Sequence, residues 1–430
     1  MTPQATVSSP ATSSFAAASA RAQELLARGM LVLALLASSL AAMPEQAEAQ
    51  GRQTRLLGVW NGFNEHAVVV EVNNTSDSDA DLLLTVQTSA GIALGAEQIK
   101  LPAKGTQHVA LNKYGIVDNH GTYVITAANG GGSLEDISGL TVFYRFLPPG
   151  SVEPLEYAFA IPFVELKTGI VAGIYNSFDP SGGVNPVFNW LSVVAPPDAR
   201  TPFRATVQVY DQGGTLDTAR SFRIAGIEPG QRLDFPLGHE QGQVVGIYRI
   251  VPDSGTYPYS AFLSRYNQSP DGGFRSAFFL ESVSGSCSPE TLPASTMDPA
   301  TNWGEIANIS SETAVVDVLV RDQSGVVRRD EQIRLAPYSQ QHFLLNVDLG
   351  SRNLGTFSAA CSNPDAPTPL LVQSVYYGHL NSQTAPLVEW AYASQATESL
   401  ADAALPAVFH APINTFLGAF NWYKTAAGAV

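Results

Sequence analysis

Seven histidines, at 66, 108, 120, 239, 342, 379 and 410, are the residues best suited to acid–base or metal chemistry. None stands in a metal-ligand spacing such as HExxH. His108 and His342 follow similar turns, where a third such stretch has Leu233 or a neighbour, so they read as packing residues. The run Asp77-Ser78-Asp79-Ala80-Asp81 starts like a calcium loop, but its sixth position is Leu82 and its twelfth Thr88, where Gly and Glu are needed. It reads as a solvated acidic turn. Gly130-Gly131-Gly132 lacks the following helix of a phosphate cradle, and no G-x-S-x-G elbow, Walker loop or dinucleotide fingerprint occurs. No catalytic residue, metal or cofactor is expected, and no enzyme. Tyr257 and Tyr259 flank Pro258 in a loop and are the candidate contacts for a glycan or protein partner. Asn73, Asn74, Asn267 and Asn308 head N-x-[ST] triplets.

Positioning any such residue falls to short β-strands. Blocks such as ATVQVY (205–210) and AVVDVLV (314–320) alternate apolar and polar residues and are rich in β-branched side chains. DQGG (211–214), DQSG (322–325) and EPGQ (228–231) mark the turns between them. With 36 Gly and 28 Pro, 45% hydrophobic and 14% charged residues, the chain is neither disordered nor a helical bundle.

The blocks recur in a fixed order. VQVYDQGG (207–214) matches VLVRDQSG (318–325) at a shift of 111 residues. Next come IKLPAKGTQHVAL (99–111), FRIAGIEPGQRLDF (222–235) and IRLAPYSQQHFLL (333–345). A strand opening on Gly follows: GTYVITA (121–127), GIYRIVP (246–252), GTFSAAC (355–361). Fixed order at this period predicts homologous units of about 110 residues, each near seven strands, at residues 50–166, 167–285 and 286–395. The fold class is all-β, with tandem antiparallel sandwiches. On these blocks the chain resembles tandem Ig-like repeat proteins exported by bacteria; the Cys–Trp–Cys spacing of antibody domains is missing, so the likeness is one of architecture.

The first two units open on a Gly-x-aromatic-Asn element, GVWNGFN (58–64) and GIYNSFD (173–179), and the second and third carry an Asn-Trp pair, FNW (188–190) and TNW (301–303). The third unit shows only TMDP (296–299) in place of Asn-small-Phe. INTF (413–416) and FNW (420–422) repeat both elements near the C-terminus, so residues 396–430 read as a linker and a partial fourth repeat. Phe416, Phe420, Asn421, Trp422 and Tyr423 would form a strand that docks on the third unit, belongs to a longer array, or pairs with another molecule. Trp190, Trp303 and Trp422 read as core.

Arg21 and Arg28, the apolar run MLVLALLASSLAA (30–42) and Ala47-Glu48-Ala49 form the charge, apolar and cleavage order of an export signal ending at residue 49. The run is too short to span a bilayer, so no transmembrane anchor is expected after cleavage. In an oxidising compartment Cys287 and Cys361 most simply form one disulfide, two buried thiols being the alternative. A net charge of −15 disfavours nucleic acid. The expected role is a secreted or cell-surface structural or adhesive protein that partners itself or another surface protein, with the periplasm as a second location. A carbohydrate-binding exported protein is the alternative.

Overall fold

The computed structural model describes residues 55–129, 133–147, 155–178, 187–238, 243–268, 274–287, 291–297, 300–363, 368–379 and 388–396, with the dipeptides 424–425 and 428–429. The export signal, the Gly130–Gly132 run, His239, His410, and the association strand of Phe416, Phe420, Asn421, Trp422 and Tyr423 lie outside the described residues.

The first set of strands is β1 (Arg55–Asn61), β2 (Ala67–Asn74), β3 (Ala80–Thr88), β4 (Ala93–Leu101), β5 (Thr106–Ala110), β6 (His120–Ala127), β7 (Ile137–Phe146) and β8 (Leu155–Pro162). The second is β9 (Val171–Asn176), β10 (Val187–Val194), β11 (Phe203–Asp211), β12 (Phe222–Ile227), β13 (Arg232–Pro236), β14 (Val245–Pro252), β15 (Ser260–Gln268) and β16 (Phe274–Glu281). The third is β17 (Leu292–Ser295), β18 (Ala300–Asn308), β19 (Ala314–Asp322), β20 (Val327–Leu335), β21 (Gln340–Leu344), β22 (Leu354–Cys361), β23 (Leu370–His379) and β24 (Val388–Gln395).

Each set forms two four-stranded antiparallel sheets with one strand order. In the first set these are β1-β6-β3-β4 and β5-β2-β7-β8; in the second, β9-β14-β11-β12 and β13-β10-β15-β16; in the third, β17-β22-β19-β20 and β21-β18-β23-β24. The sandwiches therefore hold eight strands rather than the seven expected. The short fifth strand, with its polar TQHVA-type sequence, reads as part of a turn and was invisible to an apolar pattern. Alternating side chains of the two sheets fill each interior: Val70, Val72, Leu82 and Leu84 in the first, Leu191, Val207 and Leu263 in the second, Ile306, Val316 and Val318 in the third.

The Gly-x-aromatic opening has a packing reason. Across β1 and β6, Gly58 faces Tyr123 and Trp60 faces Gly121; across β9 and β14, Gly173 faces Tyr248 and Tyr175 faces Gly246. Each glycine thus receives a ring from the opposite strand. Trp60 fixes itself there by donating Nε1–H to the carbonyls of Gln87 (2.9 Å) and Thr122 (3.0 Å). The Asn that follows forms a turn: Asn61 and Asn176 Oδ1 accept the N–H groups of Phe63 (2.9 Å) and Phe178 (2.8 Å). In the third sandwich Ser295 Oγ takes the same role toward Met297 N–H (3.3 Å), so the turn absent from the sequence reading at 296–299 is kept with serine at 295.

The acidic run at 77–81 follows a second repeated turn. Asn74 donates Nδ2–H to the carbonyls of Ser78 (2.7 Å) and Pro102 (3.1 Å) and accepts from Ser76. Asn308 does the same with Glu312 (2.6 Å), Ala336 (2.9 Å) and Ser310. Asp79 accepts Ala103 N–H and Asp77 pairs with Lys104, so this segment is turn scaffolding. Asn73, Asn74, Asn267 and Asn308 are all buried, which leaves none of the four triplets able to carry a glycan in the folded chain.

Cys287 and Cys361 are joined by a disulfide that closes a span of 74 residues, tying the segment before β17 to the end of β22. Among the described residues no helix is long and apolar enough to cross a membrane.

Candidate functional site

The sandwiches meet through a docking mode used twice. β15 is buried at every residue but its last, which means both faces of its sheet are covered. Its inner residues Ala261 and Leu263 belong to the second core, while outer residues Phe262 and Tyr266, with Val194, join the core of the first sandwich. Likewise Val375 and Tyr377 on the outer face of β23 join the core of the second. Arg232 N–H donates to Ser89 O (2.9 Å) and Gln340 N–H to Gln212 O (3.1 Å). These are matching positions, since Ser89 and Gln212 follow the last residues of β3 and β11, and Arg232 and Gln340 open β13 and β21. The rings match as well: Tyr266 meets Phe159 edge-on at 5.8 Å, and Tyr377 meets Phe278 edge-on at 6.4 Å.

The recurring motifs converge on these junctions. At the second, Asn176, Phe178, Gln212 and Val245 of one sandwich and Trp303, His342 and Tyr377 of the next line an open cleft of about 290 Å³. The register places Asn61, Phe63, Ser89 and His120 with Trp190, Asp234 and Tyr266 at the first junction. There Asn61 Nδ2 donates to Tyr266 Oη (3.4 Å) and Phe63 lies 5.8 Å from the His120 ring. Phe63 and Phe178 are 40% and 45% exposed, and Trp190 is 38% exposed. Trp190 is therefore not a core residue, and Trp303, partly buried, lies outside the interior of its own sandwich and packs against the core of the second. Period-two alternation requires this: Asn189 and Asn302 point inward and are buried, so the Trp after each points outward. Trp422 is outside the described residues.

Beneath the second cleft lies a buried polar cluster. Glu305, 1% exposed, accepts from Asn176 Nδ2 (3.3 Å) and from Gln373 Nε2. His342 Nδ1 stands 3.8 Å from Glu305 and Nε2 is 2.8 Å from Gln340 Oε1. Burial lowers the His342 pKa, a shift that Glu305 opposes and Arg265 reinforces. Arg265, fully buried, donates to Asn189 Oδ1 (3.3 Å) and Tyr377 Oη (3.1 Å), with its guanidinium over Phe278. The first junction uses a different set. Arg232 donates to Trp60 O (3.1 Å), Gly121 O (3.3 Å) and Ser192 Oγ (3.2 Å), and forks onto both oxygens of Asp234 (2.8 Å each). Burial pushes the Asp234 pKa up, but Arg232 outweighs it and holds the carboxyl below its ordinary value.

His342 and Glu305 resemble half of a catalytic relay, but Nε2 faces a Gln amide instead of a hydroxyl or thiol. Their arrangement is that of a buried polar strut with aromatic walls above it, in which, among the described residues, Gln340 Nε2 and Gln373 Oε1 make no hydrogen bond. Of Leu233 and its neighbours, Asp234 occupies the His342 position in the second sandwich, because Ser192 pairs Asp234 as Glu305 pairs His342.

The two loop tyrosines separate. Tyr259 is wholly buried, stacked on Phe203 at 4.5 Å, with its hydroxyl donating to Gly169 O (2.9 Å). It is a core residue, since the chain re-enters the sheet at β15 one residue later. Tyr257 remains on the loop, its hydroxyl donating to Thr201 O (2.7 Å), and lines a shallow hollow with Pro202, Arg204 and Asp253. Sequence reasoning missed the junction cleft. Its signal was present as the repeated Asn-small-Phe and Asn-Trp pairs, whose outward parity identifies a surface. Compared with family models and with curated proteins, the chain matches none.

Proposed function

We propose that the chain is a structural or adhesive module acting outside the cytoplasm, secreted or at the cell surface, in which three sandwiches work as one stiff body. The observation that carries this reading is the repeated junction, where Arg232, Arg265 and Glu305 are each buried at 4% exposure or less. Hinged domains meet through wet, polar, modest contacts; here buried polar groups are bonded across both junctions, Arg232 to the carbonyls of Trp60 and Gly121 at the first and Arg265 to Tyr377 Oη and Asn176 to Glu305 at the second, and a change of orientation breaks those bonds. The disulfide suits an oxidising compartment. In the source cell, fractionation should place the chain outside the cytoplasm with Cys287 and Cys361 bonded, and its loss should weaken the envelope or attachment. A cytoplasmic chain with both cysteines reduced overturns the reading.

A second reading, binding of a neutral polysaccharide, is favoured by the cleft at Trp303. Trp303 and Phe178 offer apolar ring faces suited to the C–H face of a pyranose, with Asn176 and Gln212 beside them as amide partners. Calorimetry against a polysaccharide panel should find a ligand whose affinity falls about tenfold in Trp303→Ala, the loss of one aromatic contact. Absence of binding across the panel, or binding untouched by that change, removes this reading.

A further inference from the structure

We infer that the hollow beside Tyr257 binds an acidic sugar, a pyranose whose C–H face lies on the tyrosine ring and whose carboxylate is held by Arg204. This goes beyond both readings above and rests on neither. The hollow measures about 350 Å³ and is lined by Thr201, Pro202, Arg204, Asp253, Ser254 and Tyr257, all from the second sandwich. It sits at the end of β14, whereas Val245, at the start of that strand, lines the cleft at Trp303. The strand is eight residues long, which puts the two sites about 23 Å apart.

The repeat shows which of these residues the fold itself needs. Arg204 O accepts Asp253 N–H at 2.9 Å, as Asp81 O accepts Ala128 N–H and Val315 O accepts Ser362 N–H, each also at 2.9 Å. One backbone position thus carries Asp, Arg and Val in the three sandwiches, and the sheet closes in the same way around each. The fold does not select the arginine. A rigid strand end that accepts any side chain is free to carry recognition.

Two guanidinium groups meet one carboxylate here. Arg223 forks onto both oxygens of Asp253, and these bonds hold that carboxyl below its ordinary pKa, as an anion already matched. Arg204 donates Nε–H to Ala225 O at 3.0 Å, which fixes its plane; among the described residues its two terminal nitrogens donate to nothing. Thr201, Arg204, Asp253 and Ser254 are all exposed, so a ligand reaches them from solvent. Burial first, and then the charges of Glu228 and Asp198, raise the Tyr257 pKa, so two further acids lie within reach of the ring. Neither lines the hollow: Asp198 is paired with Arg55, and Glu228 is exposed, where salt screens it. The charge left over in the hollow is one planar, forked cation, which suits a carboxylate taken by two parallel hydrogen bonds. Tyr257 supplies the apolar half. Its hydroxyl is anchored on Thr201 O at 2.7 Å and its ring leans on Phe203 at 5.3 Å, so the platform is held before any ligand arrives. A uronic acid offers both halves on one ring, an apolar C–H face and a carboxylate at its edge. An inorganic anion would use the arginine and leave the tyrosine idle.

Isothermal titration of the full chain with tetragalacturonate, tetramannuronate and a hyaluronan tetrasaccharide, each beside its methyl ester, tests this. At least one acid should bind, its ester about tenfold more weakly, and the affinity for the acid should fall with added salt. Arg204→Gln, at an exposed position, should keep the wild-type thermal midpoint and bind acid and ester alike. Tyr257→Ala should weaken both; where that variant fails to fold, the Arg204 comparison decides alone. Trp303→Ala should change none of this, which separates the hollow from the junction cleft. Silence from all three acids at millimolar concentration overturns the inference, and so does an ester that binds the wild type as tightly as its acid. Binding of the acid that survives Arg204→Gln, or that is lost in Trp303→Ala, overturns it as well. Sulfate that matches the tetramer in affinity, with no loss in a folded Tyr257→Ala, leaves a simple anion site and removes the sugar. None of these outcomes bears on neutral glycans at Trp303 or on location outside the cytoplasm, which their own experiments read.

Discussion

Gly246→Ala should unfold the second sandwich at far lower urea than the wild type, with a loss of about 4 kcal/mol or more. A methyl group at Gly246 falls well inside contact distance of the Tyr210 carbonyl and of the Tyr175 ring. The carbonyl cannot retreat, because β11 and β14 are paired along their length from Ala205 to Asp211. The ring cannot retreat, because Tyr175 is fully buried. Gly121 and Gly355 stand in the same position, against Gln87 O with the Trp60 ring 2.7 Å away, and against Arg321 O with Leu349 at 2.8 Å. The three glycines that open the sixth strand of each sandwich are thus required by one close approach of backbone to backbone. Gly255 is the control: nothing lies within 4 Å of a methyl group there, and Gly255→Ala should change stability by less than about 0.5 kcal/mol. Equal urea midpoints for the Gly246 and Gly255 variants would show that the strand pair yields and that the close approach is not what selects glycine.

The sequence made these glycines visible as recurring letters but not as half of a pair. Periodicity reports which residues share a face; it does not report register, and only register shows that Gly58 receives Tyr123 while Trp60 covers Gly121. The same limit explains Trp190 and Trp303. Recurrence at a fixed place in a repeat suggests core, but a repeat conserves docking surfaces as well as interiors when every copy is covered by its neighbour. The parity of Asn189 against Trp190 held the answer, and it required knowing that the Asn side chain points inward to the backbone of Asn176. Tyr259 failed for the opposite reason. Its Pro-flanked loop looked exposed, yet a bridge to Lys167 draws the residue into the sheet layer. The strand blocks and the cysteine pair were legible because they depend on composition and local order. The clefts were not, because each is assembled from residues more than a hundred positions apart, such as Asn176 and Trp303.

Stability should fall as the pH is lowered from about 6.5 to 4, and His66 should account for about 3 kcal/mol of the loss. His66 is 1% exposed, ringed edge-on by Phe143, Tyr157 and Phe159, and its Nε2 meets the Tyr157 hydroxyl at 2.7 Å. Burial first, and the charge of Arg145 second, bring its pKa down to about 4, against a small opposing pull from the Phe63 backbone. An unfolded chain takes up the proton near pH 6.5 while the folded chain resists it until about pH 4. Between those values the unfolded state binds more protons, so folding weakens by about 1.4 kcal/mol per pH unit per group, and the full contribution is present only above pH 6.5. His120 and His342 are lowered by burial in the same direction and steepen the slope. His66→Gln retains an amide to meet Tyr157 and cannot titrate; it should be less stable than wild type at pH 7 and lose about one proton from the pH dependence of unfolding. Urea midpoints measured at half-unit steps from pH 7.5 to 4 decide the matter. Parallel curves for wild type and variant would mean that the His66 ring is protonated as readily in the folded chain as in the unfolded one, and that the aromatic ring of Phe143, Tyr157 and Phe159 admits charge and water that its packing here excludes.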